Sequence, residues 1–252
     1  MVADNKYGMY SFDEDGELAL DNELVSSLED NTDLGEKFRY IMRCLTVCHD
    51  AVFDHTQTLN SSSPEELAFL NFCEKYGFIY RQPEVAKNVK TLIIEELGDV
   101  KRYKILEKFE FNSDRKRMSV IIEYDDEKVI MFTKGADEIV RDLLRMKNNN
   151  NELELLDQNI TQAAQQGLRT MMLGFKFIDI ADWNNFHENY KQAKVSDNSK
   201  EELATLQYHL ENNLILLGGI ALEDKLQVKV TESIKFIREA GIRFWVITGD
   251  KT

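Results

Sequence analysis

Between residues 103 and 133 side chains alternate at a period of two, and this pattern constrains the fold more than any other feature of the chain. Tyr103, Ile105, Glu107, Phe109 and Phe111 point one way; Met118, Val120, Ile122 and Tyr124 alternate likewise. Successive residues of a strand face opposite sides of a sheet, so these runs predict strands laid on a core. Asp125-Asp126 predicts a turn into a further strand from Lys128 to Thr133. Short polar connections of this kind predict antiparallel pairing, since parallel neighbours need a long crossover.

Helical signals flank this block. Phe38, Ile41, Met42, Leu45 and Cys48 recur at helical spacing. Ser61-Ser62-Ser63-Pro64-Glu65-Glu66 reads as a helix start, with serine at the cap, proline in the first turn and acids at the positive end of the dipole. That helix runs through Leu67, Leu70 and Cys73 and stops at Gly77. Further helices are predicted from Ala136 to Met146 and from about Asp157 to Gly167, with a loop from Asn148 to Asn151. Leu168 to Phe177 reads as a buried strand, and Asp182 to Asn212 as a polar helical segment striped by Leu203, Leu206 and Leu210. The stretch up to about Glu36 is acidic and poorly periodic, and predicts strand fragments and loop.

The C-terminal part changes style. Leu214 to Leu222 and Ile242 to Ile247 are continuous apolar runs around a helix carrying Val230, Ile234 and Ile237. This predicts a β-α-β unit, because continuously apolar strands suit a parallel sheet covered on both faces. The expected division is therefore 1–213 and 214–252. The final run stops just after Thr248-Gly249-Asp250, where a next element is expected, so the chain reads as a segment of a larger protein.

Charge and cysteine usage narrow the function classes. The formal net charge of −14 disfavours nucleic-acid partners and docking on anionic lipid through the bulk surface. Arg115, Lys116 and Arg117 stand out as the densest basic cluster in an acidic chain. Cys44, Cys48 and Cys73 fit neither a zinc pattern nor haem attachment and predict buried thiols in a reducing cytosol. No signal peptide is visible at the polar N-terminus, and the longest apolar run, Leu214 to Leu222, is far too short to span a bilayer.

Several stretches have residue types suited to a phosphate-bearing ligand. From Phe109 to Val120 a strand ends in an aromatic, a polar turn carries three cations, and a second strand begins. An exposed aromatic can stack on a planar base and adjacent cations can hold phosphates. On residue types alone the plainer reading, a hairpin with a solvated basic tip, is the stronger. Lys134-Gly135-Ala136 lies at a strand-to-helix corner, where glycine admits a close ligand and lysine offers a charge, although the P-loop pattern is absent. Arg169, after Gly167-Leu168, suits phosphate or a carboxylate equally. Thr248-Gly249-Asp250 follows an apolar strand, where ligands bind in open α/β sheets. Cys48-His49-Asp50 is no triad, since consecutive residues cannot face one another.

The order of these stretches resembles that in P-type ATPases. A Glu-containing helix start, Phe111-Asn112-Ser113-Asp114-Arg115-Lys116-Arg117-Met118-Ser119-Val120, Lys134-Gly135-Ala136, Gly167-Leu168-Arg169, Glu223-Asp224-Lys225-Leu226-Gln227 and Thr248-Gly249-Asp250-Lys251 follow one another as in that family. Leu45-Thr46-Val47-Cys48-His49 and Ser62-Ser63-Pro64-Glu65-Glu66 narrow the resemblance to the P4 class, the phospholipid flippases. It spans almost the whole chain.

The resemblance implies an α+β nucleotide-binding domain, an antiparallel sheet of about six or seven strands flanked by helices. It also implies an attached β-α-β fragment of a HAD-like, Rossmannoid phosphorylation domain. In such a domain Phe111 would stack on adenine and Glu66 would meet the adenine edge. Lys134 and Gly135 would line the base and phosphate pocket, while Ser113, Arg115, Lys116 and Arg169 would meet the phosphates. Asp224, Thr248, Gly249 and Asp250 would belong to the phosphorylation domain, with Thr248 facing the phosphoryl group. ATP with Mg2+ is the implied cofactor, the protein's magnesium ligands lying outside this segment. The implied partners are a phospholipid and an accessory subunit through a membrane region, with the segment itself monomeric and cytosol-facing.

Two departures qualify this. The family's Ser-Pro-Asp-Glu reads Ser63-Pro64-Glu65-Glu66 here, keeping the second acid. Neither the Asp-Lys-Thr-Gly-Thr phosphorylation motif nor the later Gly-Asp-Gly motif occurs, so the aspartyl nucleophile is absent and no hydrolysis by this segment alone is expected. The alternative reading is a non-catalytic flippase-like module fused to another enzyme, such as a nucleotide cyclase.

Overall fold

The computed structural model describes residues 20–87, 89–124, 128–145, 150–223, 229–245 and 247. Its centre is a seven-stranded antiparallel sheet in sequence order: β3 (Phe78–Ala86), β4 (Val89–Glu96), β5 (Asp99–Phe109), β6 (Arg117–Glu123), β7 (Lys128–Gly135), β8 (Arg169–Asp179) and β9 (Ile215–Leu222). A separate small sheet pairs β1 (Val52–Phe53) with β2 (Leu59–Asn60). The expected antiparallel α+β architecture is therefore the one observed.

Helices cover both faces of the sheet. On one lie α1 (Asn22–Glu29), α2 (Asp33–Val47) and α3 (Pro64–Lys75); the other carries α4 (Asp137–Leu143), α5 (Asn150–Gln165), α6 (Ile180–Lys194) and α7 (Ser199–Glu211). Met118, Val120 and Ile122 join Phe38, Met42, Leu45 and Phe69 in the first core. Ile121, Val129 and Met131 join Val140, Leu156, Ile160 and Trp183 in the second. Each fully buried side chain of this size contributes about 1.5–3 kcal/mol, so two cores on one sheet hold the central strands firmly.

Local chemistry sets the ends. Asp21 caps α1 by accepting from the N–H groups of Glu23 and Leu24, and Thr32 caps α2 through Gly35. The acidic N-terminal stretch thus holds a helix at Asn22–Glu29 where strand fragments and loop were expected; only Leu24 and Leu28 mark it as amphipathic. Leu97 and Gly98 both have positive φ, 51° and 93°, which is what a two-residue β4–β5 hairpin turn requires. Asn150 and Asn151, expected in a loop, lie in α5.

The predicted parallel β-α-β pairing requires a correction. Ile215–Leu222 is not a parallel strand of a second unit; it pairs antiparallel with β8, from Arg169↔Leu222 to Phe175↔Ile215. The continuous apolarity that suggested a parallel sheet reports two covered faces, not strand direction. α2 packs on one side of β9 and α5 on the other, with Leu156 and Ile160 so close to Gly219 that a Cβ there would meet them at 3.2 Å. Residues 242–245 carry no strand, and α8 (Val230–Glu239) has no buried residue. Phe236 and Trp245 are 73 % and 77 % exposed. No helix among the described residues is long and apolar enough to cross a membrane.

Candidate functional site

The antiparallel register gathers four strand ends at one end of the sheet. Phe109 pairs with Ser119, Arg117 with Gly135, Gly135 with Met172, and Arg169 begins β8. Phe111, Lys134 and Arg169, far apart in sequence, therefore lie at the same end. The first turn of α3 sits over it, held by two ion pairs. Glu66 meets Lys134 at 3.1 Å, and Glu65 pairs with Arg169.

The Glu66–Lys134 pair is buried and well compensated. Glu66 Oε2 accepts from the Asp50 N–H at 2.8 Å and from the Ser61 hydroxyl at 2.9 Å, while Oε1 takes Lys134 Nζ. The Lys134 ammonium also lies 5.5 Å from the centre of the Phe69 ring, a cation–π distance. A carboxylate has about four acceptor positions, so three protein donors leave one for a further N–H. Ser63 occupies the N-cap of α3 without a side-chain cap bond. The working serine is Ser61, which accepts from Ser63 N–H and donates to Glu66.

His49 backs this pair. Its Nδ1 accepts from the Ala51 N–H at 3.1 Å, so Nε2 donates to the Thr46 carbonyl at 3.0 Å. Burial is the largest cause that drives its pKa down to about 4, with Lys134, Lys90 and Lys108 adding to it and Glu66 opposing it. A neutral ring committed to two backbone groups has no catalytic geometry, in keeping with the rejected triad.

The Asn112–Lys116 turn separates its residues sharply. Phe111 is 60 % exposed, and Ser113 and Lys116 are exposed as well. Asn112 Oδ1 accepts from the N–H groups of Asp114 and Arg115, and the Lys116 N–H returns to the Asn112 carbonyl at 2.8 Å. Lys116 has φ 50°. Its carbonyl accepts from Ala136 N–H at 3.0 Å, which brings β7 against the turn. Gly135 answers to this approach: a Cβ would sit 2.6 Å from Arg117 Cβ and 2.7 Å from the Lys116 carbonyl. The glycine expected to admit a ligand admits a neighbouring strand.

Arg115, expected at phosphate, has its guanidinium paired with Glu211 and Gln207. Arg117 binds the same carboxylate, with Nε at 2.9 Å and Nη2 at 2.6 Å from Oε2. The cause is Glu211, whose side chain is wholly buried at the end of α7 and must draw cations to it. Ser119 also donates to Glu211 and bonds Thr133 at 2.9 Å. Sequence reasoning missed Glu211 and Gln207. Their four-residue spacing beside the Leu203, Leu206 and Leu210 stripe was the available signal, since it places both on the core-facing side of the helix. Asp224, Thr248, Gly249 and Asp250 lie outside the described residues.

Comparison with known proteins identifies the family. Residues 37–229 match the family described as P-type ATPase, cytoplasmic domain N. The chain belongs to this family. Its relatives include the human phospholipid-transporting ATPase ID, 35 % identical over 220 residues, which is 86 % of this chain and 18 % of that protein. The phospholipid-transporting ATPase DRS2 of Saccharomyces cerevisiae is 35 % identical over 227 residues, covering 88 % of this chain and 16 % of that protein. Phospholipid-transporting ATPase 10 of Arabidopsis thaliana is 35 % identical over 219 residues, covering 83 % and 18 %. The chain thus spans less than a fifth of the length of these relatives, and its similarity is to P4-type members of the family. The matched N-domain segment runs past Asn213 and through β9, in line with the sheet.

Proposed function

We propose that this N domain binds MgATP at the end of the sheet where Phe111, Glu66, Lys134 and Arg169 converge. The supporting observation is the buried Glu66–Lys134 pair, 3.1 Å apart, at the same end as an exposed aromatic and exposed cations. Adenine stacks on Phe111 and donates its exocyclic amine to the remaining acceptor position of Glu66. Lys134 supplies positive charge at the base and inner phosphates, beside Gly135. Lys116, Ser113 and Arg169 face the outer phosphates, and Arg169 exchanges Glu65 for phosphate as domains close. The donor set suits an adenine nucleotide: a planar stacking surface, a carboxylate with spare capacity, and cations rather than a metal-ligand cluster. Magnesium bound to the phosphates would supply neutralisation of the charge that develops during transfer.

The chain's own contribution is positioning. The N domain holds the nucleotide so that its γ-phosphate reaches an aspartate outside this segment, and fixed geometry lowers the entropic part of the barrier. In the parent protein the cycle drives a phospholipid between leaflets of a membrane, by likeness to the phospholipid-transporting relatives. The N domain extends to about Leu222, and Asp224, Thr248, Gly249 and Asp250 serve the phosphorylation domain.

Titrating MgATP against the chain, with amide shifts followed by NMR, tests this reading. Shifts clustered at Glu66, Phe111, Lys134 and Arg169, and lost in Phe111→Ala, are expected. A wild-type chain with no shifts at millimolar MgATP sinks the proposal.

A further inference from the structure

The two arginines of the basic turn are directed away from solvent, toward one carboxylate on a helix distant in sequence. Glu211 has no exposed side-chain surface and takes Arg115, Arg117 and Ser119 together. Arg117 also donates Nη1 to the Arg115 carbonyl at 3.2 Å, so the carboxylate grips the backbone of the turn as well as its side chains. Arg115 lies over the Phe109 ring, 5.5 Å from its centre, two residues before Phe111. Gln207, one helical turn before Glu211, accepts from Arg115 and donates to Tyr190 of α6 at 2.7 Å. The turn carrying Phe111 is thereby tied to both helices of the α6–α7 pair.

We infer that Glu211 is a positioning residue for nucleotide: through Arg115 and Arg117 it holds the Asn112–Lys116 turn so that Phe111 is presented to the base. This rests on the proposed ATP reading and departs from one role that the family resemblance implied. Arg115 braces the turn and does not bind phosphate. A carboxylate buried without cations would be costly, so Glu211 secures both arginines in this arrangement. Preorganising an aromatic platform removes an ordering cost from the binding step.

The two roles of Arg115 predict different ligand selectivity. If Arg115 holds phosphate, its loss weakens MgATP and spares adenosine, which has no phosphate. If it braces the turn, both ligands lose affinity by the same factor. Arg115→Met keeps the apolar stem on Phe109 and leaves Glu211 with Arg117 and Ser119, so the fold survives. Glu211→Gln removes the anchoring charge, and Arg115→Met alone decides the matter if that variant does not fold.

Two measurements on the full chain settle it. Without ligand, amide hydrogen exchange at Arg115 and Lys116 is expected to quicken at least about fivefold in Arg115→Met, with β7 and β8 unchanged. With ligand, adenosine and MgATP are expected to weaken by equal factors in both variants. Unchanged exchange in the turn overturns the inference, as does a loss confined to MgATP. If wild type binds neither ligand, the ATP reading falls, and the exchange rates alone then uphold or overturn the anchor.

Discussion

Glu66 and Lys134 lie 68 residues apart in sequence and meet at 3.1 Å beneath the first turn of α3. This contact joins the helix to strand β7 and places opposite charges side by side, both mostly shielded from solvent.

Breaking the pair is expected to cost stability. Lys134→Met leaves the Glu66 carboxylate buried without its cation, a loss of about 3 kcal/mol. Adding Glu66→Gln should recover most of it. Urea denaturation of the four species forms the cycle, and additive losses would show that the two residues do not depend on each other.

Phe111→Ala should separate binding from folding. The ring is exposed, so stability is expected to change by no more than about 0.5 kcal/mol. A lost base stack costs about 1–3 kcal/mol, so MgATP affinity should fall roughly tenfold or more. Calorimetric titration alongside thermal unfolding checks both; equal affinity in the variant would remove Phe111 from the site.

Acidification should weaken the fold through His49. Its pKa is about 4 in the fold against an ordinary 6.5, so between these values the unfolded chain binds the extra proton. Stability from this group is full above about pH 6.5 and is lost as pH falls toward 4, a total of about 3 kcal/mol. The charges facing His49 are Glu66, Lys134, Lys90 and Lys108. Denaturation of wild type and His49→Gln across this range isolates the contribution; parallel curves would contradict it.

Gly135→Ala is expected to destabilise by about 1–3 kcal/mol, because the new methyl meets backbone and Cβ atoms that cannot rotate away. Melting temperature reports the loss, and a neutral outcome would mean that β6 and β7 can separate at this end.

Ending the chain after Glu223 should leave the melting temperature within about 2 °C of the longer form, since α8 buries no residue. Loss of exposed Phe236 and Trp245 should also reduce self-association at high concentration. A large drop in melting temperature would place α8 inside the N domain's cooperative unit.

The antiparallel sheet, most helices and the family are legible in the residues alone, because period-two alternation, helix caps and ordered motifs are local signals. The sequence also marked Phe111, Lys134 and Arg169, which the register brings to one end of the sheet, and Glu66, which the first turn of α3 lays over that end. Three matters become visible only once the chain is folded. Ile215–Leu222 pairs antiparallel with β8, since an apolar run records how many faces are covered and carries no information on direction. Gly135 serves strand approach, a contact made only once β6 and β7 pair. Arg115 and Arg117 turn inward, because their partner Glu211 lies 96 and 94 residues away and becomes a buried anion only when α7 docks. A charge shows its type in sequence, but its partner is set by burial, and burial exists only in the folded chain.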